Sequence, residues 1–243
     1  MSPSLYIHIP VCLQKCSYCD FYSITLSSLK GNTSTLISAL IRDIKESAEL
    51  YKVEHWQSVY IGGGTPSLLD NKDVLLLGKA IKESCNSGLL ADCEWTIEAN
   101  PEDINESWLN AAQEAGINRL SIGVQSLNDE VLGKAGRRGS ADNTRSAFKL
   151  IHTYWQGDIS CDVISGLPSQ SIQSLKEDLD EIIEWKSAHI SLYALSLEQG
   201  TPLYTAVNDG STKIGNEDEQ ADVWIAGKDH LLRAGYQQYE VSN

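Results

Sequence analysis

Residues Tyr6–Phe21 read YIHIPVCLQKCSYCDF: a short β-branched run, then three thiols, at Cys12, Cys16 and Cys19, inside eight positions. A strand that opens directly into a cysteine-crowded loop looks like the first unit of a β/α protein carrying a ligand at its strand ends. Five later runs repeat its character: SVYIGG, CEWTIEA, RLSIGV, SCDVISG and HISLYAL. Amphipathic stretches separate them, and strands alternating with helices argue for βα units and parallel pairing.

The helical stretches carry their own signals. Leu36, Leu40, Ile41, Ile44 and Ala48 share one stripe that must be buried against the sheet. Asp103 and Glu106 stand where they can satisfy early backbone N–H groups ahead of Trp108 and Ala112, with Gly116 as the stop. A further helix follows Ser171 with Leu175, Leu179 and Ile182 inward, and a last one is expected over 217–234, ending at Gly235. Six such units predict an α/β fold, an incomplete parallel TIM-type barrel of (β/α)6 form; a doubly wound sheet is the topological competitor.

Composition narrows the function classes. The 33 acidic and 19 basic side chains give a formal net charge of -14, which disfavours extended contact with nucleic-acid phosphates. No run reaches the length of a transmembrane segment, and the N-terminal MSPSLYIHIP lacks the basic flank and apolar stretch of a signal peptide. Cys85, Cys93 and Cys161 are scattered and form no disulfide framework, so a cytoplasmic, reducing compartment is expected.

Soft thiolates at 12, 16 and 19 favour zinc or an iron-sulfur cluster. Structural zinc asks for four protein ligands, and only Asp20 or His8 stands near enough in sequence to complete the set. Three thiolates on a 4Fe-4S cluster leave one iron open to a small ligand. Beyond the second strand, Gly62, Gly63 and Gly64 with Thr65 and Pro66 remove side-chain bulk, so that backbone groups can approach a ligand. The run is neither a Walker A loop nor GxGxxG. Glu98 and Asn100 in EANP, Gln125 in GVQS and Asp162 in CDVISGLP recur after separate strands, where a partial barrel gathers its ligand contacts.

The ordered set YIHIPVCLQKCSYCDF, YIGGGTPS, EANP, GINRLSIGVQSLNDEVL, DVISGLP and YEVSN resembles the radical S-adenosylmethionine (radical SAM) superfamily, in particular the group of oxygen-independent coproporphyrinogen III oxidase and the HemW heme chaperones. The resemblance implies a radical SAM core over residues 1–197 and a family-specific extension over 198–243, packed on the core and cut short. It implies that Cys12, Cys16 and Cys19 hold a 4Fe-4S cluster whose remaining iron is chelated by S-adenosylmethionine. Gly63, Gly64 and Thr65 would line the methionine end, with Tyr6 near the cluster. Glu98, Gln125, Arg137 and Asp162 match polar positions that the family uses around the cofactor, the acids for ammonium or ribose and Arg137 for a carboxylate.

Two departures bear on the subgroup. The oxidases usually carry another cysteine two positions after the third, where this chain has Phe21. HemW-like chains usually continue past YEVSN through an HNxxYW segment into a smaller domain, whereas this one stops at Asn243. The resemblance therefore implies a HemW-like chaperone with heme as cargo, an electron donor and a heme-accepting protein as partners. A porphyrinogen-directed radical oxidoreductase is the alternative, and a purely structural metal domain the third reading. None of His8, His55, His152, His189 and His230 falls in a heme-ligation motif.

Overall fold

The six β-rich runs form the six strands of one parallel sheet. The structure, a computed structural model, describes residues 3–29, 33–85, 90 and 92–241. In chain order the elements are β1 (Ser4–Ile9), β2 (Val11–Cys12), β3 (Ile24–Thr25), α1 (Ser34–Leu50), β4 (Ser58–Gly63), α2 (Asn71–Glu83), β5 (Glu94–Ala99), α3 (Glu106–Ala115), β6 (Arg119–Gln125), α4 (Asp129–Lys134), α5 (Ala141–Tyr154), β7 (Asp158–Ser165), α6 (Ile172–Glu184), β8 (His189–Ala194), α7 (Pro202–Asn208) and α8 (Glu217–Arg233). Sheet order is β1-β4-β5-β6-β7-β8, and β2 pairs with β3 separately. The order never reverses, so the sheet lacks the switch point of a doubly wound fold. It stays unclosed, with β1 and β8 at its edges, as in an incomplete (β/α)6 barrel.

By backbone contacts the chain divides into two compact units. One comprises Met1–Leu13, Phe21–Ser121 and Lys149–Asp158; the other comprises Gln14–Asp20, Ile122–Phe148 and Ile159–Asn243. No described helix is long and apolar enough to cross a membrane.

In the first unit, β1 pairs with β4 and β4 with β5, all parallel. Val59, Ile61, Trp95 and Ile97 are buried. The α1 stripe differs from the sequence expectation in its leading residue. Ile37, Ile44 and Ala48 are buried, while Leu36, Leu40 and Ile41 are half-buried. The buried line is centred one position further along the helix, so Ile37 fills the core. The cap of α3 also differs: Asn105, not Asp103, is extended at φ -145 and accepts from Trp108 N–H at 3.0 Å. Asp103 ends a preceding 3-10 turn, where it accepts from Ser67 Oγ. Gly116 stops α3 at φ +106, as expected.

In the second unit, β7 pairs with β8. Ser171 and Ser174 close a capping box at the start of α6, and Leu175, Leu179 and Ile182 are fully buried. Phe148 stacks on Trp185 with centroids 3.9 Å apart. The last helix is capped by Asn216 with a reciprocal bond from Glu219, and Trp224 Nε1 donates to Leu192 O at 2.9 Å. Of the closing YEVSN, Ser242 and Asn243 lie outside the described residues.

Helices α2 and α3 approach so closely that a Cβ on Gly78 would lie 2.7 Å from Ala115 Cβ and 2.8 Å from Ala115 O. Gly78→Ala gains about 1 kcal/mol of helix propensity, but forcing packed backbone apart costs about 1–3 kcal/mol. Urea unfolding is expected to show net destabilisation; a more stable variant would mean that the two helices separate freely.

Candidate functional site

The site residues of the first unit are set by the β1–β4 ladder, whose register places His8 opposite Gly62 and Ile9 opposite Gly63. Gly64 N–H extends that pairing to Ile9 O at 2.8 Å. A Cβ on Gly64 would sit 2.7 Å from Val11 O, 2.8 Å from Val11 N and 3.0 Å from Cys12 Sγ, so only glycine lets the turn lie against the cysteine segment. Gly63 has φ +117, and a Cβ there would meet the His8 ring at 2.7 Å. Thr65, itself buried, donates from Oγ1 to Cys12 Sγ at 3.5 Å.

Glu98 braces the same turn. Its two carboxylate oxygens accept from Tyr60 O–H at 2.8 Å and from Gly63 N–H at 3.1 Å. The next strand end is tied in by Ser67, whose Oγ accepts from Asn100 N–H at 3.1 Å. Tyr6 is 58% exposed and lies over Tyr60, with ring centroids 6.1 Å apart. Partial burial, then the Glu98 charge, raise its phenol pKa. Tyr6 O–H meets His8 Nδ1 at 3.0 Å, and His8 Nε2 meets Tyr22 O at 3.0 Å. A carbonyl only accepts, so the ring carries a proton on Nε2. His8 thereby joins β1 to the chain just beyond the cysteines.

The second unit contains Cys16 and Cys19, with Cys19 N–H bonded to Cys16 O at 3.3 Å. The segment around them is held by backbone and side-chain bonds: Ser17 N–H to Ala135 O at 3.0 Å, Gln14 Nε2 to Gly136 O at 2.9 Å, and Leu203 N–H to Ser17 O at 2.8 Å. Arg137 points one guanidinium nitrogen at Cys16 Sγ, 3.7 Å away, and donates from the other to Gly123 O at 2.7 Å. Tyr18 packs against Val131, Ala135, Ile164, Leu167, Leu195 and Leu203. Burial drives its phenol pKa well above the usual value, against the opposing pull of Arg137.

Gln125 ends β6 with φ +64, a left-handed backbone unusual for a residue with a side chain. Asp162 lies within β7, opposite Ser191 of β8, and Glu98 within β5. Neither follows its strand, contrary to expectation, because both strands extend beyond the acid. The structure thus joins Cys12, Gly63, Gly64, Thr65, Glu98 and, through His8 and Tyr60, Tyr6 in one unit. In the other it joins Cys16 to Arg137. Among the described residues no three His, Cys, Asp or Glu side chains are grouped as a metal-ion site. No disulfide engages any of the six cysteines.

Sequence reasoning passed over Tyr60, Ser126 and Asp178. Asp178 left a signal: it falls three residues after Leu175 on the apolar stripe of α6, where an acid has no place unless something bonds it.

Residues 6–182 match the Radical SAM superfamily. The chain belongs to that superfamily. It is 33% identical over 240 residues to heme chaperone HemW of Lactococcus lactis, a match covering 99% of this chain and 61% of that protein. It is 36% identical over 240 residues to the mitochondrial radical S-adenosyl methionine domain-containing protein 1 of Bos taurus, covering 99% of this chain and 53% of that one. Among solved structures, coproporphyrinogen III oxidase (HemN) of Escherichia coli, a radical SAM enzyme, superposes with a TM-score of 0.83 at 26% identity, over 97% of this chain and 54% of that one. This member of the superfamily therefore spans between half and two thirds of the length of these relatives.

Glu98→Ala takes away the acceptor of both Tyr60 O–H and Gly63 N–H. We expect destabilisation of about 1–3 kcal/mol in urea, with a smaller loss for Tyr60→Phe. Equal stability of Glu98→Ala and the parent would show that the carboxylate does not brace the glycine turn.

Proposed function

We propose that this chain is the cofactor-binding portion of a HemW-like heme chaperone, with Cys12, Cys16 and Cys19 holding a 4Fe-4S cluster and S-adenosylmethionine bound beside it. The observation that carries the reading is the fit between Gly64 and the cysteine segment. The glycine turn presses on Val11 and leaves room beside Cys12 Sγ that a side chain would fill. The donor chemistry agrees: three thiols suit iron and sulfide, and Arg137 points a guanidinium nitrogen at Cys16 Sγ.

In this reading Tyr6, Gly63, Gly64, Thr65, Glu98, Gln125, Arg137 and Asp162 surround S-adenosylmethionine. Gly63 and Gly64 offer backbone groups, Arg137 a planar cation for the carboxylate, and Glu98 and Asp162 acceptors for ammonium or ribose. Once reduced, a bound cluster supplies one-electron chemistry to S-adenosylmethionine. The protein's own residues orient that ligand and set which groups face it.

Similarity to proteins named heme chaperone HemW, together with Phe21 where the oxidases usually carry a cysteine, favours heme as cargo. A radical oxidoreductase acting on a porphyrinogen is the second reading, favoured by the close superposition on coproporphyrinogen III oxidase. Either would work with an electron donor in the cytoplasm, and the chaperone with a heme-accepting protein. No histidine of this chain stands in a heme-ligation motif.

Anaerobic reconstitution is expected to load about four iron and four sulfide per chain, with an EPR signal on reduction that Cys12→Ser, Cys16→Ser and Cys19→Ser each abolish. Wild-type protein that folds but takes up no cluster would overturn both readings. Formation of decarboxylated product from coproporphyrinogen would favour the oxidoreductase. S-adenosylmethionine binding without turnover, together with weak heme transfer until the remaining HemW-type domain is supplied, would favour the chaperone.

A further inference from the structure

In the second unit, two buried polar groups meet where the chain leaves β6, and no proposed cofactor contact uses them. Ser126 is 0% exposed and Asp178, on α6, 5%. Ser126 Oγ donates to Asp178 Oδ2 at 2.6 Å, and the Leu127 backbone lies near enough to the same carboxylate to favour its charged form. The hydroxyl also accepts from Asn128 N–H at 3.1 Å, and Asn128 Oδ1 in turn caps α4. The residue immediately before this clamp is Gln125, with its φ of +64. A residue with a side chain keeps such a conformation only where its surroundings impose it.

Asp178 is an expensive way to build a helix face. It sits among Leu175, Leu179 and Ile182, all 0% exposed. Burial raises its pKa, the Ser126 bond and the Leu127 backbone pull it back, and the charges of Glu181 and Glu177 push it up again. Arg145 grips Glu181 with two bonds, at 2.7 and 3.0 Å. A neutral Asn at 178 would keep an acceptor for Ser126 without the cost of burying a charge. The groups that stabilise this carboxylate, the Ser126 hydroxyl and the Leu127 backbone, belong to the two residues that follow Gln125.

We propose that Asp178 is the positioning residue for Gln125: by anchoring Ser126 and Leu127 it holds the reversal after β6 in the left-handed geometry that presents Gln125 to S-adenosylmethionine. This assignment rests on the ligand reading above. Asn at 178 can accept from Ser126 but turns an NH2 toward the Leu127 backbone, so Asp178→Asn breaks half of the clamp at nearly constant volume.

The test uses the full chain and two readouts. Without cofactor, amide exchange at Leu127 is expected to accelerate about tenfold in Asp178→Asn, the loss of one charge-assisted contact. After anaerobic reconstitution, calorimetry should find S-adenosylmethionine bound about tenfold more weakly by Asp178→Asn. In a Gln125→Ala background the same change should alter affinity less than about twofold, because its effect passes through Gln125. Stability should separate from affinity. A raised carboxylate pKa makes the folded wild type most stable below the ordinary carboxylate range, with stability lost as pH climbs through the raised value. Asp178→Asn should lack that loss and be no less stable at neutral pH. Ser126→Ala, which keeps the Leu127 contact, supplies an intermediate case if Asp178→Asn fails to fold. An equal affinity loss with and without Gln125, or wild-type affinity in Asp178→Asn, overturns the proposal. Unchanged Leu127 exchange beside tight wild-type binding overturns the clamp alone. A cluster-loaded wild type that binds no S-adenosylmethionine overturns the ligand reading, and this role with it.

Discussion

The β1–β4 ladder is the constraint on which the first unit's site depends. Its register puts Ile9 against Gly63 and lets Gly64 N–H reach Ile9 O. The two strands then end at the same level, one entering the cysteine segment and the other the glycine turn. Backbone can press on backbone there only because residue 64 has no Cβ. A one-residue slip would set a different residue against Val11 and exchange the buried and exposed faces of β4.

Carboxylates finish what the ladder begins. Glu98 holds the glycine turn in one unit, and Asp178 holds the reversal after β6 in the other. Glu98 accepts from the Tyr60 hydroxyl and Gly63 N–H, and Asp178 from the Ser126 hydroxyl. Loops that must present ligand-facing atoms have few apolar contacts of their own, and a charged acceptor fixes them more stiffly than a neutral one. For Asp178 burial works against the charge, which is why its position on the inner face of α6 invites a reason beyond packing.

Much of the frame was legible in the chain itself. Six β-rich runs became six strands of one parallel sheet, and Ser171 and Gly116 capped and stopped the helices assigned to them. The α1 stripe was displaced by a residue because a 3.6-residue period tolerates two adjacent choices of centre, and only tertiary packing, which includes α2, decides between them. At α3 both Asp103 and Asn105 are good caps. The 3-10 turn at Pro101–Asp103 and the Ser67 hydroxyl claim the first and leave the second.

Sequence by itself determined the superfamily and the order of strands and helices, because motifs and periodicity depend on residue type and short spacing. It could not determine which groups brace the site. Tyr60 reaches Glu98 across 38 positions, Arg137 reaches Cys16 across 121, and Ser126 reaches Asp178 across 52. Such pairs leave no local pattern, since a hydrogen bond between distant segments is specified by where the sheet and its helices bring them. The tertiary structure alone decided those partners, and with them the left-handed turn at Gln125 that the residue's own preferences would not choose.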